Sequence, residues 1–93
     1  MFPIKILPYV YVLQLEGDEK HPCYFYIGCT HNLHIRVAQH LEGCGAKFVR
    51  KHAFLKLYSV ELVDGDALER ENEVAEEFIS IYGRERVRGG RHC

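Results

Sequence analysis

The fold is set by an apolar run at residues 9–13, Tyr-Val-Tyr-Val-Leu, which follows Pro8. The run is short and consists of β-branched, aromatic and other apolar side chains. Such a run predicts a strand that is buried on both faces and therefore central in its sheet. A second run at residues 23–28, Cys-Tyr-Phe-Tyr-Ile-Gly, is also strand-like. Because the polar residues 16–22 between them include turn formers, the two strands are predicted to form a β-hairpin with a long loop.

A helix is predicted over residues 30–41, directly after the hairpin. Three apolar residues recur there every four positions, as on one face of a helix: Leu33, Val37 and Leu41. Either Thr30 or Asn32 would cap the start of this helix, and Gly43 would end it. Residues 42–53 contain glycines and a basic cluster, and they are predicted to form a loop, either alone or with a helical turn in it.

The rest of the chain predicts one more strand and one more helix. Residues 56–63 alternate between apolar and polar side chains, which indicates a third strand. Asp66 is predicted to cap a second helix that runs to about Gly83, with Glu69 at the capping-box spacing. The basic tail, residues 84–93, is either an ordered extension or a frayed end. The order ββαβα predicts an α+β fold with a small three-stranded sheet, mixed or antiparallel, flanked by helices.

The length of 93 residues predicts a single domain over residues 1–93, with a core at about 8–83. The hydrophobic fraction of 47% is enough for a packed core and too high for a disordered chain. No apolar run approaches the roughly 20 residues that a membrane-spanning helix needs. The N-terminus also lacks the features of a signal peptide. We therefore expect an intracellular protein, cytoplasmic or nuclear, without membrane association.

The four cysteines and six histidines raise the question of disulfides or zinc. Without a secretory signal, reduced thiols are favoured over disulfides. There is no C-x-x-C pair, and the spacings match no familiar set of zinc ligands, so structural zinc is disfavoured.

The net charge is −1, whereas a nucleic-acid binder is usually basic. The charges are segregated, however. Acidic residues crowd positions 69–77, and basic residues cluster at 47–52 and at 84–91. Such segregation produces either one basic face or an ordinary solvated surface.

Glu71 lies on the stripe of the second helix that is expected to face the core. The apolar members of that stripe are Leu68, Ala75, Phe78 and Tyr82. A carboxylate on such a line costs free energy unless something pairs with it. Three explanations stay open: the helix rotates so that Glu71 lies at the edge of the core, Glu71 pairs with a buried basic residue, or it faces a cleft and binds a metal ion. The other glutamates of this helix lie off the stripe and are expected to be solvated.

Arg36 and His40 are one turn apart on the first helix, beside its apolar stripe. The simplest interpretation is a surface pair. Together with an inward glutamate, however, they are the groups that phosphodiester chemistry needs, because arginine grips a phosphate oxygen and a carboxylate holds a hard cation.

In these residues the sequence resembles the GIY-YIG nuclease family, which is named after two short motifs on adjacent strands. Tyr9-Val10-Tyr11 corresponds to the first motif and keeps only its last tyrosine. Tyr26-Ile27-Gly28 matches the second motif in full. The resemblance extends from about residue 8 to residue 90, although the hairpin loop is longer than in compact members.

The helices carry the rest of the resemblance. Arg36 stands ten residues after Tyr26, where the family has an arginine, and His40 stands where many members have a histidine. Residues 67–72, Ala-Leu-Glu-Arg-Glu-Asn, resemble the metal-binding segment of the family and select Glu71 among its acidic neighbours. Residues 87–90, Val-Arg-Gly-Gly, resemble the end of some members.

The resemblance implies a metal-dependent DNA endonuclease in which water attacks the phosphodiester in line. Glu71 would hold one Mg²⁺ or Mn²⁺ ion, and Arg36 would stabilise the charge that grows on the phosphate. Tyr11 is the expected general base, with Tyr26 close to the attacking water and His40 as a rival base or phosphate contact. Since a free tyrosine has a pKa near 10, Arg36 or the metal would have to lower it.

The resemblance leaves the substrate open. Six residues are expected to bind nucleic acid: Gly28, Lys47, Arg50, Lys51, Arg88 and Arg91. The chain would act on branched or flap DNA, nick DNA loosely, or rely on a protein partner for specificity, in DNA repair or recombination. The competing hypothesis is a catalytically silent module of the same fold that binds nucleic acid or a protein.

Overall fold

The structure, a computed structural model, describes residues 6–43 and 45–90. Its sheet has the strand order β3-β1-β2-β4. The strands are β1 (Tyr9–Glu16), β2 (Cys23–Thr30), β3 (Phe54–Leu62) and β4 (Val87–Gly89). β1 pairs antiparallel with both β2 and β3, and β4 pairs parallel with β2. The predicted central position of β1 is confirmed, and residues 10–13 of this strand are at most 2% exposed.

The prediction of three strands is wrong, because the basic tail contributes a fourth. A turn of 3₁₀ helix, Arg84–Arg86, leads into β4, and Val87 is fully buried in the core. The packed core therefore reaches beyond residue 83. A strand of three residues is too short to show an alternating pattern, and it becomes regular only by pairing with β2.

In the described part of the chain, three α-helices accompany the sheet: α1 (Leu33–Leu41), α2 (Lys47–Lys51) and α3 (Ala67–Tyr82). Asn32, rather than Thr30, caps α1, and its side chain accepts a hydrogen bond from the backbone N–H of Ile35. The short helix α2 lies within the segment for which a loop was predicted. At α3 the predicted cap is confirmed, because the Asp66 carboxylate accepts a hydrogen bond from the backbone N–H of Glu69.

The two faces of the sheet pack against different helices. Even-numbered residues of β1 form one core cluster with α3 and odd-numbered residues form another, which includes residues of α1 and α2. The first cluster contains Val10, Val12, Phe25, Ile27, Val74, Ala75 and Val87. The second contains Tyr11, Leu13, Leu15, Tyr24 and Val49, with Tyr26 and Leu33 packed against it. The alternation along β1 thus assigns Tyr11 to the face that α1 and α2 cover.

Three further observations bear on the sequence-based expectations. Cys23 and Cys29 are free thiols, whereas Cys44 and Cys93 lie outside the described residues. Within residues 6–43 and 45–90, no three histidine, cysteine or acidic side chains are grouped to hold a metal ion. In the same residues, no helix is both long enough and apolar enough to cross a bilayer.

Candidate active site

Tyr11 lies at the centre of the sheet, and its hydroxyl occupies space that a glycine leaves free. Tyr11 is 1% exposed and stands opposite Gly28 of β2 in the strand register. A Cβ atom on residue 28 would overlap the hydroxyl oxygen of Tyr11. Gly28 itself is buried, so it contributes space for Tyr11 rather than a surface for DNA. Steric exclusion by Tyr11 therefore explains why the Tyr-Ile-Gly motif ends in glycine.

His40 is the hydrogen-bond partner of Tyr11, with 3.0 Å between the Tyr11 hydroxyl and His40 Nε2. The prediction that Arg36 and His40 form a surface pair is wrong for His40, which is only 4% exposed. The next residue, Leu41, was predicted to lie on the apolar face of this helix but is 62% exposed. Burial, and then the charge of Arg36, lower the pKa of His40. The ring is therefore neutral at pH 7, and Nε2 accepts the phenol proton when Nδ1 carries the hydrogen. Nδ1 is buried and has no hydrogen-bond partner among the described residues.

Replacing Gly28 by alanine is expected to destabilise the fold by about 1–3 kcal/mol, because the new methyl group overlaps the Tyr11 ring and hydroxyl. Urea denaturation measures this cost. In a Tyr11→Ala background the cost should be smaller, since both the ring and the hydroxyl are gone. An equal cost in both backgrounds would contradict the steric explanation.

Tyr26 lies beside the Tyr11–His40 pair. Its ring meets the His40 ring edge-on, with 5.5 Å between centroids, and the Tyr11 ring meets His40 similarly at 5.8 Å. Tyr26 is half-buried and lines a cavity, whereas Tyr11 is enclosed. The two motif tyrosines therefore flank one histidine, and Tyr26 is the more accessible of the two.

Glu71 lies at the edge of the core on α3, which agrees with the first of the three explanations for its position. Leu68 is 67% exposed, so the predicted stripe was wrong at that residue, and the helix instead buries Ala67, Val74 and Ala75. Burial raises the pKa of Glu71, whereas a hydrogen bond from the backbone N–H of Gly90 and the charge of Arg36 lower it. A half-buried carboxylate with one backbone donor keeps further oxygen lone pairs for a ligand.

The positive charge of Arg36 interacts electrostatically with Tyr11, His40 and Glu71. Arg36 is exposed on α1, and its Nη1 donates to Oε1 of Gln39 at 3.3 Å. Burial, and then the neighbouring Tyr26, raise the pKa of Tyr11. The charge of Arg36 and a hydrogen bond from its side chain each lower this pKa. The same guanidinium also acts on His40 and Glu71. One exposed cation thus influences the tyrosine, the histidine and the carboxylate.

The buried neutral histidine makes stability depend on pH. Because burial lowers the pKa of His40 below its ordinary value near 6.5, the unfolded chain binds more protons than the folded chain at mildly acidic pH. The contribution of neutral His40 to the free energy of unfolding is complete above about pH 6.5. It is lost as the pH falls through the pKa that His40 has in the folded state. His40→Gln is therefore expected to flatten the loss of stability between about pH 7 and 5 in urea titrations.

His52, whose pKa burial also lowers, should leave part of that pH dependence in place. His31→Gln, at an exposed position, is the control and should retain the wild-type slope. A wild-type slope in His40→Gln would show that His40 is not the group responsible.

The basic residues that were expected to bind DNA divide into two groups. Lys47, Lys51 and Arg88 line a cavity of about 430 Å³ together with Tyr26 and Phe48. Arg50 is exposed on α2 but does not line this cavity, and Arg91 lies outside the described residues. The cavity therefore joins three of the expected cations to one of the motif tyrosines.

Two contributions of the C-terminal segment could not be read from the sequence. Arg88 lies over the Phe48 ring at 5.1 Å, and its Nη1 donates to the backbone oxygens of Arg84 and Val87. Gly90 donates its N–H to Glu71. Both contacts depend on the pairing of β4 with β2. In the sequence, the sole indication that this segment is ordered was the resemblance of residues 87–90 to the end of some relatives.

The carboxylate of Glu71 is compatible with a magnesium-type ion. Mg²⁺ keeps several waters and is commonly bound by one or two carboxylates plus substrate phosphates, so a three-ligand protein cluster is not required. The rise in the pKa of Glu71 on burial means that its ionised form lacks full solvation there, and a bound cation would compensate for this.

The sheet with its two motif tyrosines and the glutamate of α3 is the arrangement that the resemblance to the GIY-YIG family implied. Residues 7–82 match the GIY-YIG catalytic domain, and the chain belongs to that family. It is similar to a UPF0213 protein of Clostridium perfringens (strain 13 / Type A), with 34% identity over 71 residues that cover 76% of this chain and 68% of the relative. No solved structure matches the chain significantly. β4 and the Gly90 contact to Glu71 lie beyond the matched residues.

Proposed function

We propose that the protein is a metal-dependent endonuclease that hydrolyses DNA phosphodiester bonds. The observation that carries the proposal is the buried pair of Tyr11 and His40, whose hydroxyl and Nε2 lie 3.0 Å apart. Arg36 and Glu71 both act electrostatically on Tyr11. Such a set supplies a cation for the phosphate, a proton-accepting pair and a carboxylate for a metal ion. The family membership supports nuclease chemistry in general.

Arg36 is the proposed phosphate-stabilising residue. Its guanidinium is exposed and so can reach a phosphate oxygen on the bound substrate. A planar fork of N–H donors matches the oxygens of a phosphate, on which negative charge grows during attack. Glu71 would hold one Mg²⁺ or Mn²⁺ ion, which supplies Lewis-acid stabilisation of the reacting phosphate when bound.

Tyr11 and His40 are proposed to act in series as the general base. Burial raises the pKa of Tyr11, so its phenol is protonated at neutral pH and cannot accept a proton unless it loses its own. His40 Nε2 lies 3.0 Å from the hydroxyl and belongs to a neutral ring. As water attacks, its proton would pass to the Tyr11 oxygen while the phenol proton passes to His40. Tyr26, half-buried beside the pair, would border the attacking water.

The substrate follows from the basic residues around the site. Lys47, Lys51 and Arg88 line the cavity at Tyr26 and would contact DNA phosphates without reading sequence. Arg50, exposed on α2, would extend this surface. Arg91, outside the described residues, is proposed as a further phosphate contact. A role in DNA repair or recombination and an intracellular location are part of the same proposal.

Cleavage of a panel of DNA substrates tests the proposal. The panel contains linear duplex, supercoiled plasmid, flap and four-way-junction DNA, each with Mg²⁺, with Mn²⁺ and with EDTA. We expect cleavage of at least one substrate that requires the added metal. Folded protein that cuts none of them would overturn the nuclease proposal, and binding without cutting would favour a silent binding module.

A further inference from the structure

A second cavity lies beside the one at Tyr26 and shares a wall with it. It has a volume of about 660 Å³, whereas the cavity at Tyr26 has about 430 Å³. Phe48, Lys51 and Arg88 line both. The two cavities are therefore adjacent, and neighbouring nucleotides of one strand would reach one cavity each.

The larger cavity is rich in aromatic rings. His52 stacks on Tyr24 with 3.7 Å between ring centroids and an interplanar angle of 19°. Phe48 meets Tyr24 edge-on at 5.8 Å and His52 at 4.8 Å. Phe48, His52 and His21 are only part-buried, so ring surface remains available to a ligand. Aromatic side chains of this kind provide stacking surfaces for unpaired nucleobases.

The charges are arranged differently in the two cavities. Lys51 and Arg88 stand at the shared wall, and the guanidinium of Arg88 is held in place by Phe48 and two backbone oxygens. Both hydrogen bonds use Nη1. A phosphate would therefore be bound through the other nitrogens of the guanidinium fork.

The larger cavity also has acidic side chains in its lining. These are Asp18, Glu19 and Glu85, and Lys20 and His21 line the same cavity. A hydrogen bond from the Tyr24 hydroxyl, 2.6 Å long, lowers the pKa of Asp18 to about 2, so this carboxylate is ionised at neutral pH. Carboxylates repel a phosphate backbone but accept hydrogen bonds from the amino groups of bases. The carboxylates therefore favour an uncharged base in the larger cavity, with the backbone phosphate at Lys51 and Arg88 of the shared wall.

We propose that this larger cavity binds an unpaired nucleobase adjacent to the cleavage site, with its phosphate at Lys51 and Arg88. The inference rests on the proposed nuclease function and specifies its substrate as DNA with a single-stranded segment. A fully paired duplex keeps its bases stacked inside the helix and so could present only its backbone to the aromatic wall. Filling the cavity from such a duplex would require a base to be unpaired and unstacked, which opposes binding.

Equilibrium binding tests the inference separately from cleavage. Fluorescence anisotropy would compare a blunt duplex with the same duplex carrying a single-stranded flap, using Glu71→Gln protein or wild type in EDTA. We expect the flap substrate to bind at least about 5-fold more tightly, and His52→Ala to remove most of this preference. His31→Ala, at an exposed position away from the lining, is the matched control and should retain it.

A second measurement does not depend on any variant. 2-Aminopurine placed in the flap next to the duplex should lose fluorescence on binding to wild-type protein in EDTA, because it stacks on the aromatic wall. Equal affinity for flap and blunt duplex, or unchanged 2-aminopurine fluorescence in the complex, would overturn the inference. Failure of the nuclease proposal would appear differently, as absent cleavage with the flap preference intact.

Discussion

Glu71→Gln is expected to reduce metal-dependent DNA cleavage by about 10³-fold or more while leaving the fold and DNA binding intact. A bound metal supplies several kcal/mol of transition-state stabilisation, and about 4 kcal/mol corresponds to that factor. Glutamine has the shape of glutamate and can still accept the N–H of Gly90, but it has no charge to hold a divalent cation. Single-turnover cleavage at saturating protein, with circular dichroism as a check on folding, measures the effect.

The controls for this prediction come from the same helix. Glu76→Gln removes a charge at an exposed position of α3 and should cut at the wild-type rate. Calorimetric titration with Mn²⁺ in the presence of a non-cleavable DNA analogue should show that Glu71→Gln, unlike Glu76→Gln, binds the ion weakly. Cleavage by Glu71→Gln at the wild-type rate would exclude Glu71 as the metal ligand.

Arg36→Ala is expected to lower the single-turnover rate by about 10²–10³-fold, since removing one preorganised donor to a developing charge has an effect of this size. The loss should fall mainly on the rate at saturation rather than on affinity, because the guanidinium is needed most when charge accumulates on the phosphate. Its removal also withdraws the charge that lowers the pKa of Tyr11, His40 and Glu71. Arg36→Lys should restore little, because a point charge lacks the planar fork.

Arg84→Ala is the matched control for Arg36. Arg84 is exposed in the 3₁₀ turn, and its contact with Arg88 uses its backbone oxygen rather than its side chain. This variant should retain the wild-type rate. A uniform loss of affinity in Arg36→Ala with an unchanged rate at saturation would identify Arg36 as a binding residue and contradict its proposed role.

The identity of the central strand and the existence of both long helices followed from local patterns alone. A continuous apolar run at residues 9–13 has to be covered on both faces, which a central strand achieves. Asp66, Glu69 and Gly83 mark the ends of α3 because capping depends on residues that are close in sequence. The same locality made Glu71 conspicuous, since a carboxylate near an apolar stripe is visible in the helical period.

Other features depended on contacts between residues far apart in the chain. His40 looked like a surface residue, and only the approach of α1 to β1 buries it against Tyr11, 29 residues away. Leu68 and Leu41 fitted the helical period but are exposed, because the period does not specify how far a helix rotates on its sheet. β4 and the donor that Gly90 offers to Glu71 arise from pairing with β2, more than 60 residues earlier in the chain.

The sequence by itself thus determined the strand that organises the sheet and the glutamate that stands out on its helix. The tertiary structure decided which groups those residues meet. Helix and strand patterns are local, because they follow from backbone geometry repeated every few residues. Packing between distant segments buries His40, adds the fourth strand and brings Tyr11, His40 and Glu71 under the influence of Arg36. No local pattern in the sequence encodes these contacts.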